Sequence, residues 1–183
     1  MIIEPVCPKL FQVKDILPEL VVEEIKNIDW LNLPTDTPPM QERMIRKKIK
    51  HEHVLALTKI NQLLEKHSKQ IGELLNLKFT NMRTLWWLDL PGFISHIHID
   101  STGHPALQAY WIAPGINYGT HFYSTDSRDP KPSTLIKGFD FIPNTGYLND
   151  LTGPNSEKIY HGMLNLVPEN TFRVSSYTQF LTY

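Results

Sequence analysis

The segment Gly92-Phe93-Ile94-Ser95-His96-Ile97-His98-Ile99-Asp100 places side chains able to bind a metal at alternate positions. Read as a strand, it turns His96, His98 and Asp100 to one face and Ile97 and Ile99 to the other. Two rises of about 3.3 Å separate His98 from Asp100 by roughly 6.6 Å, so an imidazole and a carboxylate could meet on one ion past the strand end. A polar strand facing solvent would show the same alternation, and a His-x-Asp tripeptide alone does not distinguish the two. Tyr160-His161-Gly162-Met163 offers a further imidazole at the start of a later strand. Twelve residues after His161 comes Phe172-Arg173-Val174-Ser175, within a β-branched and aromatic run. Arg173, Ser175 and Tyr177 alternate onto one face of it. A buried guanidinium there needs an anion; its planar fork suits a carboxylate, and the Ser175 hydroxyl could donate to the same oxygens.

Together these residues resemble the His-x-Asp…His…Arg-x-Ser pattern of the Fe(II)/2-oxoglutarate-dependent oxygenases. His98-Ile99-Asp100 is followed by His161 sixty-one residues past Asp100, then Arg173, then Ser175 two further on. Asp89-Leu90-Pro91-Gly92-Phe93, Phe141-Ile142-Pro143-Asn144-Thr145-Gly146-Tyr147 and Tyr160-His161-Gly162 are similar to small bacterial and phage-type members. The resemblance spans roughly residues 79 to 181 and does not extend to residues 1 to 78. It implies a double-stranded β-helix, a jelly-roll-like barrel with the metal near its open mouth. His98, Asp100 and His161 would hold Fe(II), and Arg173 and Ser175 would hold the distal carboxylate of 2-oxoglutarate. Gln108 and Tyr110 lie on a strand that in this family often offers polar groups to the cosubstrate. Dioxygen is the further reactant, ascorbate a possible stimulant, and hydroxylation the outcome, because halogenating members leave the carboxylate position to chloride. The prime substrate is expected to be a peptidyl side chain, as in prolyl hydroxylases, or a small amino-acid-like metabolite.

Other readings remain open at this level. A cupin-like protein could use His96, His98 and His161 instead, although that leaves Arg173 without a task and lacks the usual cupin glutamate. A catalytically dead barrel serving as a binding module is disfavoured by the intact ligand set, and a metallohydrolase by the lack of an evident general base and an unexplained arginine. His96 is read as a neighbour inside the barrel, and His104 and His121 as residues without a metal role. Trp86, Trp87 and Trp111 are read as core. Asn144 and Tyr147 are assigned to a turn-rich segment near the entrance. The basic stretch Arg43, Arg46, Lys47, Lys48 and Lys50 is read as a solvated loop or helix face.

These residues need elements to position them. Asp15 is a candidate helix cap before Ile16, Leu20, Val21 and Ile25. Val54, Leu57, Ile60, Leu64, Ile71 and Leu75 trace one long apolar stripe, weakened by Gly72. From Phe79 onward, short β-rich runs alternate with turn residues: Thr84 to Leu88, Phe93 to Ile99, Ala106 to Ile112, Thr120 to Tyr123, Leu135 to Ile142 and Thr171 to Leu181. The expectation is an α+β, mainly β fold of one domain over residues 1–183. Residues 1–78 are expected to be mainly helical, bracing a β-barrel core over 79–183.

Composition adds exclusions. A hydrophobic fraction of 41% and a charged fraction of 20% are those of a globular chain. A net charge of -1 gives no general attraction to nucleic acid or an anionic membrane. The lone Cys7 can form neither an internal disulfide nor a thiolate metal site. The acid and proline of Ile2-Ile3-Glu4-Pro5 do not suit a signal peptide, and no run reaches the ~20 apolar residues of a membrane span. A soluble, cytoplasmic protein is the expectation, with no signal for oligomeric state.

Overall fold

The computed structural model describes residues 1–36, 45–100, 102–124, 134–154 and 159–182. Its elements, in order, are β1 (Ile2–Cys7), β2 (Leu10–Lys14), α1 (Glu19–Lys26), β3 (Arg46–Ile49), α2 (Leu55–Glu65), α3 (Ser68–Leu75), β4 (Asn81–Asp89), β5 (Ala106–Ile112), β6 (His121–Tyr123), β7 (Leu135–Gly138), β8 (Thr145–Asn149), β9 (Tyr160–Gly162) and β10 (Arg173–Leu181). Seven strands form one antiparallel sheet in the order β1-β2-β8-β5-β10-β4-β3, and three form a second, β7-β6-β9. After β5 the chain passes back and forth between the sheets, with β6, β7 and β9 in the small one and β8 and β10 in the large one, as in a jelly roll.

The period of two along each strand of the large sheet divides its residues between two cores. Val174 and Phe180 of β10, Trp86 and Leu88 of β4, and Leu107, Ala109 and Trp111 of β5 pack with Val22, Ile25, Leu57, Ile60, Leu64 and Ile71 of the helices. Trp30, Trp86 and Trp111 stack there with centroids 5.7 and 5.9 Å apart. Trp111 Nε1 donates to Ser176 Oγ, and Trp86 Nε1 to Asn61 Oδ1 on α2, so both indoles are satisfied. The other face carries Leu10, Tyr110 and Tyr147, which meet Phe122, Phe139 and Phe141 between the sheets. Helices therefore buttress one face of the barrel, as expected.

Among the described residues, the three α-helices lie within 1–78, which also holds β1, β2 and β3, strands that the sequence pattern did not predict. The β1–β2 hairpin escaped because β2 is buried on both faces: Leu10 belongs to the inter-sheet core and Val13 to the helix-side core, so the alternation is lost. Asp15 is not a cap. It takes a turn conformation with φ 49° after β2, and α1 starts behind Pro18. The long apolar stripe is two helices, broken between Glu65 and Ser68. Most of the described part of the basic stretch is neither loop nor helix: Arg46, Lys47 and Lys48 lie in edge strand β3, paired with β4, where Lys and Arg discourage further pairing, and Lys50 follows the strand. Arg43 lies outside the described residues.

Segment 93–99 is not a regular strand. His98 and His161 exchange two backbone hydrogen bonds of 2.9 Å, Met163 N donates to Ser95 O and Val167 N to Phe93 O. The four residues Ser95–His98 thus face the three residues His161–Met163, and the register breaks. Tyr147, expected in a turn, lies within β8.

Gly146 of β8 sits opposite Ala109 of β5, and a Cβ there would lie 1.9 Å from the Gln108 carbonyl oxygen. Gly146→Ala should therefore force β5 and β8 apart and cost about 3 kcal/mol or more in a denaturant titration. Unchanged stability would contradict this close approach.

Candidate metal centre and its cavity

The broken register has a direct effect on the three candidate ligands. His96 is exposed and lies outside the cluster, which corrects its expected place inside the barrel. His98 and Asp100 still converge. Together with His161 they form a group whose ligand atoms all lie within 4.8 Å of one another. His98 Nε2 is 3.5 Å from Asp100 Oδ1, and His161 Nε2 is 3.6 Å from Asp100 Oδ2. The imidazole centroids are 4.5 Å apart.

Hydrogen bonds around the group fix which atoms face inward. His98 Nδ1 lies 2.7 Å from the His96 carbonyl and His161 Nδ1 lies 3.4 Å from the Ile159 carbonyl. With Nδ1 protonated toward a carbonyl, each Nε2 is left with a free lone pair. Tyr177 donates to Asp100 Oδ2 at 3.0 Å. Burial and the neighbouring carboxylate push the Tyr177 hydroxyl well above its ordinary range, so it remains a donor. Burial works to raise Asp100, but His98, His161 and Tyr177 together hold it below the usual carboxylate value. The Asp100 hydrogen bond raises His98 against the opposing effect of burial, whereas burial lowers His161. The His161 side chain is 6% exposed and stacks 5.1 Å from Phe122, while His98 is 45% exposed. The group is closed behind His161 and open beside His98.

The group lies in a cavity of about 280 Å³ floored by the inner face of the large sheet. Strand register arranges that floor in rows. Tyr177 pairs across with Leu85 and Gln108, Ser175 with Trp87 and Tyr110, and Arg173 with Asp89, which also pairs with Arg46. Gln108 and Tyr110 both line the cavity. Burial pushes the Tyr110 phenol up to about 12, and its hydroxyl donates to Thr120 Oγ1 at 3.0 Å. Ser175 Oγ is buried without a partner among the described residues. Trp87, expected in the core with Trp86 and Trp111, turns instead toward the cavity. His104 bonds Thr182 and His121 lies on β6, both outside the ligand group.

Arg173 is buried, as expected, but part of the anion it needs is protein. Its Nε donates to Asp89 Oδ2 at 2.6 Å and its Nη1 to the Tyr118 carbonyl at 2.6 Å. Asp89 has no exposed surface and also accepts from Arg46 Nε at 2.6 Å and Nη2 at 3.3 Å. The Arg46 guanidinium packs 4.4 Å from the Phe93 ring centroid and 4.9 Å from that of Trp87. Sequence reasoning assigned roles to neither Arg46 nor Asp89. Inward alternation of Asp89 with Leu85 and Trp87 was the available signal for the acid. Arg46 lies forty-three residues away, and nothing local pairs it with Asp89.

No family model matches the sequence, and no curated protein does. Among solved structures, the chain aligns with a Pseudomonas putida prolyl-4-hydroxylase at a TM-score of 0.62 and 14% identity, over 96% of this chain and 93% of that one. EvdO2 from Micromonospora carbonacea var. aurantiaca, complexed with 2-oxoglutarate, aligns at 0.62 and 10% identity, over 96% and 86%. The fold is that of the Fe(II)/2-oxoglutarate oxygenases. HygX from Streptomyces hygroscopicus, with nickel and 2-oxoglutarate bound, shares this oxygenase fold at 0.57 and 9% identity, over 93% and 82%. No helix among the described residues is long and apolar enough to cross a membrane.

Two measurements probe the group. Tyr177→Phe removes one hydrogen bond to Asp100 and should weaken Co(II) binding about tenfold in a spectroscopic titration, with the fold retained. Equal affinity would mean that Asp100 needs no such support. Metal affinity should also fall as pH drops through the ordinary histidine range, with His98 protonating before His161 because its pKa is raised. A pH-independent affinity would exclude both imidazoles as ligands.

Proposed function

We propose that the chain is an Fe(II)- and 2-oxoglutarate-dependent dioxygenase that hydroxylates an unactivated C–H bond. The observation that carries this is one cavity, in this fold, with His98, Asp100 and His161 at one end and the Arg46–Asp89–Arg173 cluster at the other. Two imidazoles and one carboxylate are the donor set suited to non-haem Fe(II) with open positions. The orientation of both Nε2 atoms fits that assignment. His96 stands apart from the group, so no observation favours the cupin-like set.

When bound, iron and 2-oxoglutarate supply the oxidising chemistry, in which dioxygen, 2-oxoglutarate and a C–H bond become succinate, carbon dioxide and an alcohol. The protein's own residues then have separable tasks. Tyr177 holds Asp100 in one orientation. Arg173 offers charge-assisted hydrogen bonds to the distal carboxylate, and Ser175 Oγ is an unused donor on the same strand. Tyr110 stays protonated in the same row as Ser175, its hydroxyl held by Thr120. Phe122 keeps water from behind His161. The prime substrate enters beside the exposed His98.

For that substrate we favour a peptidyl side chain over a free amino-acid-like metabolite. The similarity to a prolyl-4-hydroxylase over nearly the full length of both chains supports it.

An anaerobic titration with Fe(II) and 2-oxoglutarate tests the assignment without the substrate. A weak visible charge-transfer band should appear only with both components and be absent from His161→Ala. A folded, iron-loaded wild-type protein without the band would contradict it. In the same titration, Arg173→Ala should weaken 2-oxoglutarate by about 1.5 to 3 kcal/mol; unchanged affinity would place the distal carboxylate elsewhere.

A further inference from the structure

The Arg173–Asp89 contact raises a question of charge. With Nε on a buried carboxylate at 2.6 Å and Nη1 on a backbone carbonyl, Arg173 is half of a closed ion pair. A neutral pair holds a second anion far less well than a free guanidinium does. In this chain the pair is not alone. Arg46, reaching across from edge strand β3, claims the other Asp89 oxygen, Oδ1, at 2.6 Å, and its side chain also lines the cavity. Two guanidiniums against one carboxylate leave one positive charge unbalanced. Asp89 lies buried beneath the cavity wall; among the described residues the acid that lines the cavity is Asp100, and it belongs to the opposite end, with His98 and His161.

We propose that Arg46 is a second anchor for the distal carboxylate of 2-oxoglutarate, and that the Arg46–Asp89–Arg173 cluster selects dicarboxylic 2-oxo acids as a unit. This deepens the oxygenase assignment and rests on it. Asp89 divides the labour. By bonding both guanidiniums it holds them side by side, and their remaining N–H donors exceed what the protein acceptors use. The Arg46 guanidinium packs against the rings of Phe93 and Trp87, and that of Arg173 against Phe93 and Phe141. The cationic row lies two rows from Tyr177, which touches the metal ligand Asp100, and the unpartnered Ser175 occupies the row between. A molecule with a chelating end and an anionic end spans that floor.

Removing Arg46 leaves Asp89 paired with Arg173, so no buried charge is orphaned. Arg46→Met keeps the apolar stem between Trp87 and Phe93 and removes only the charge and fork. The probes are 2-oxoglutarate and 2-oxopentanoate, which has a methyl group where 2-oxoglutarate has its distal carboxylate. Each is titrated anaerobically into Fe(II)-loaded protein and followed by the chelate band. Wild type should prefer 2-oxoglutarate, and Arg46→Met should shrink that preference about ten- to a hundredfold while leaving 2-oxopentanoate binding unchanged. Arg46→Lys, which restores a charge without the fork, should recover most of the preference. The proposal is overturned if Arg46→Met keeps the wild-type preference, if it weakens both acids equally, or if Arg46→Lys behaves like Arg46→Met. If wild type chelates both acids without preference, the cluster is no anchor and the proposal fails alone. If wild type chelates neither, the oxygenase assignment fails and takes the proposal with it.

Discussion

Strand β10 is covered on both faces, and its two-residue period separates what holds the protein together from what lines the cavity. Val174, Ser176, Thr178 and Phe180 point toward the helices, where Val174 and Phe180 join the aromatic and aliphatic core. Ser176 and Thr178 are satisfied there by Trp111 and Thr84. Arg173, Ser175, Tyr177 and Gln179 point the other way. A slip of one residue would exchange these sets, burying a guanidinium among tryptophans and sending valine to the cavity. Pairing with β4 locks the register along the whole strand, and pairing with β5 supports it from Ser175 to Gln179. The placement of Leu85, Trp87, Asp89, Gln108 and Tyr110 follows from that lock.

The polar end of the cavity is costly to fold around. A carboxylate with no exposed surface loses its hydration, and only close, well-oriented cations compensate. Asp89 has two, one on β10 and one on β3, so the cluster ties an edge strand to the centre of the sheet. Burying ions is seldom the cheapest way to stabilise a core, since an apolar replacement often does as well. Their presence fits a requirement for charge at that place. The metal end is organised differently. Reciprocal backbone bonds hold His98 against His161, and side-chain bonds to carbonyls and to Tyr177 set the rings and the carboxylate.

Much of this was legible in the residues, for identifiable reasons. Strands β4, β5 and β10 have one polar and one apolar face over much of their length, so their alternation showed in the sequence. His98, Asp100, His161 and Arg173 carried a recognisable spacing. The His96 side chain was misplaced because a register break cannot be read from alternation. The β1–β2 hairpin was hidden by double burial, and the helix break by a stripe that continues in phase. Arg46 and Asp89 stayed invisible as a pair because their contact joins an edge strand to β4 across the sheet, and neither residue has a local pattern that names the other.

The central claim is that one cavity holds a metal at His98, Asp100 and His161 and a dicarboxylate between that metal and the arginine cluster. A crystal structure of the protein grown anaerobically with Fe(II) and 2-oxoglutarate tests this most directly. The account predicts the ion bonded to both Nε2 atoms and to Asp100, with the distal carboxylate against Arg173. An ion bound elsewhere, for example through His96, or a 2-oxoglutarate lying away from the arginines, would contradict it.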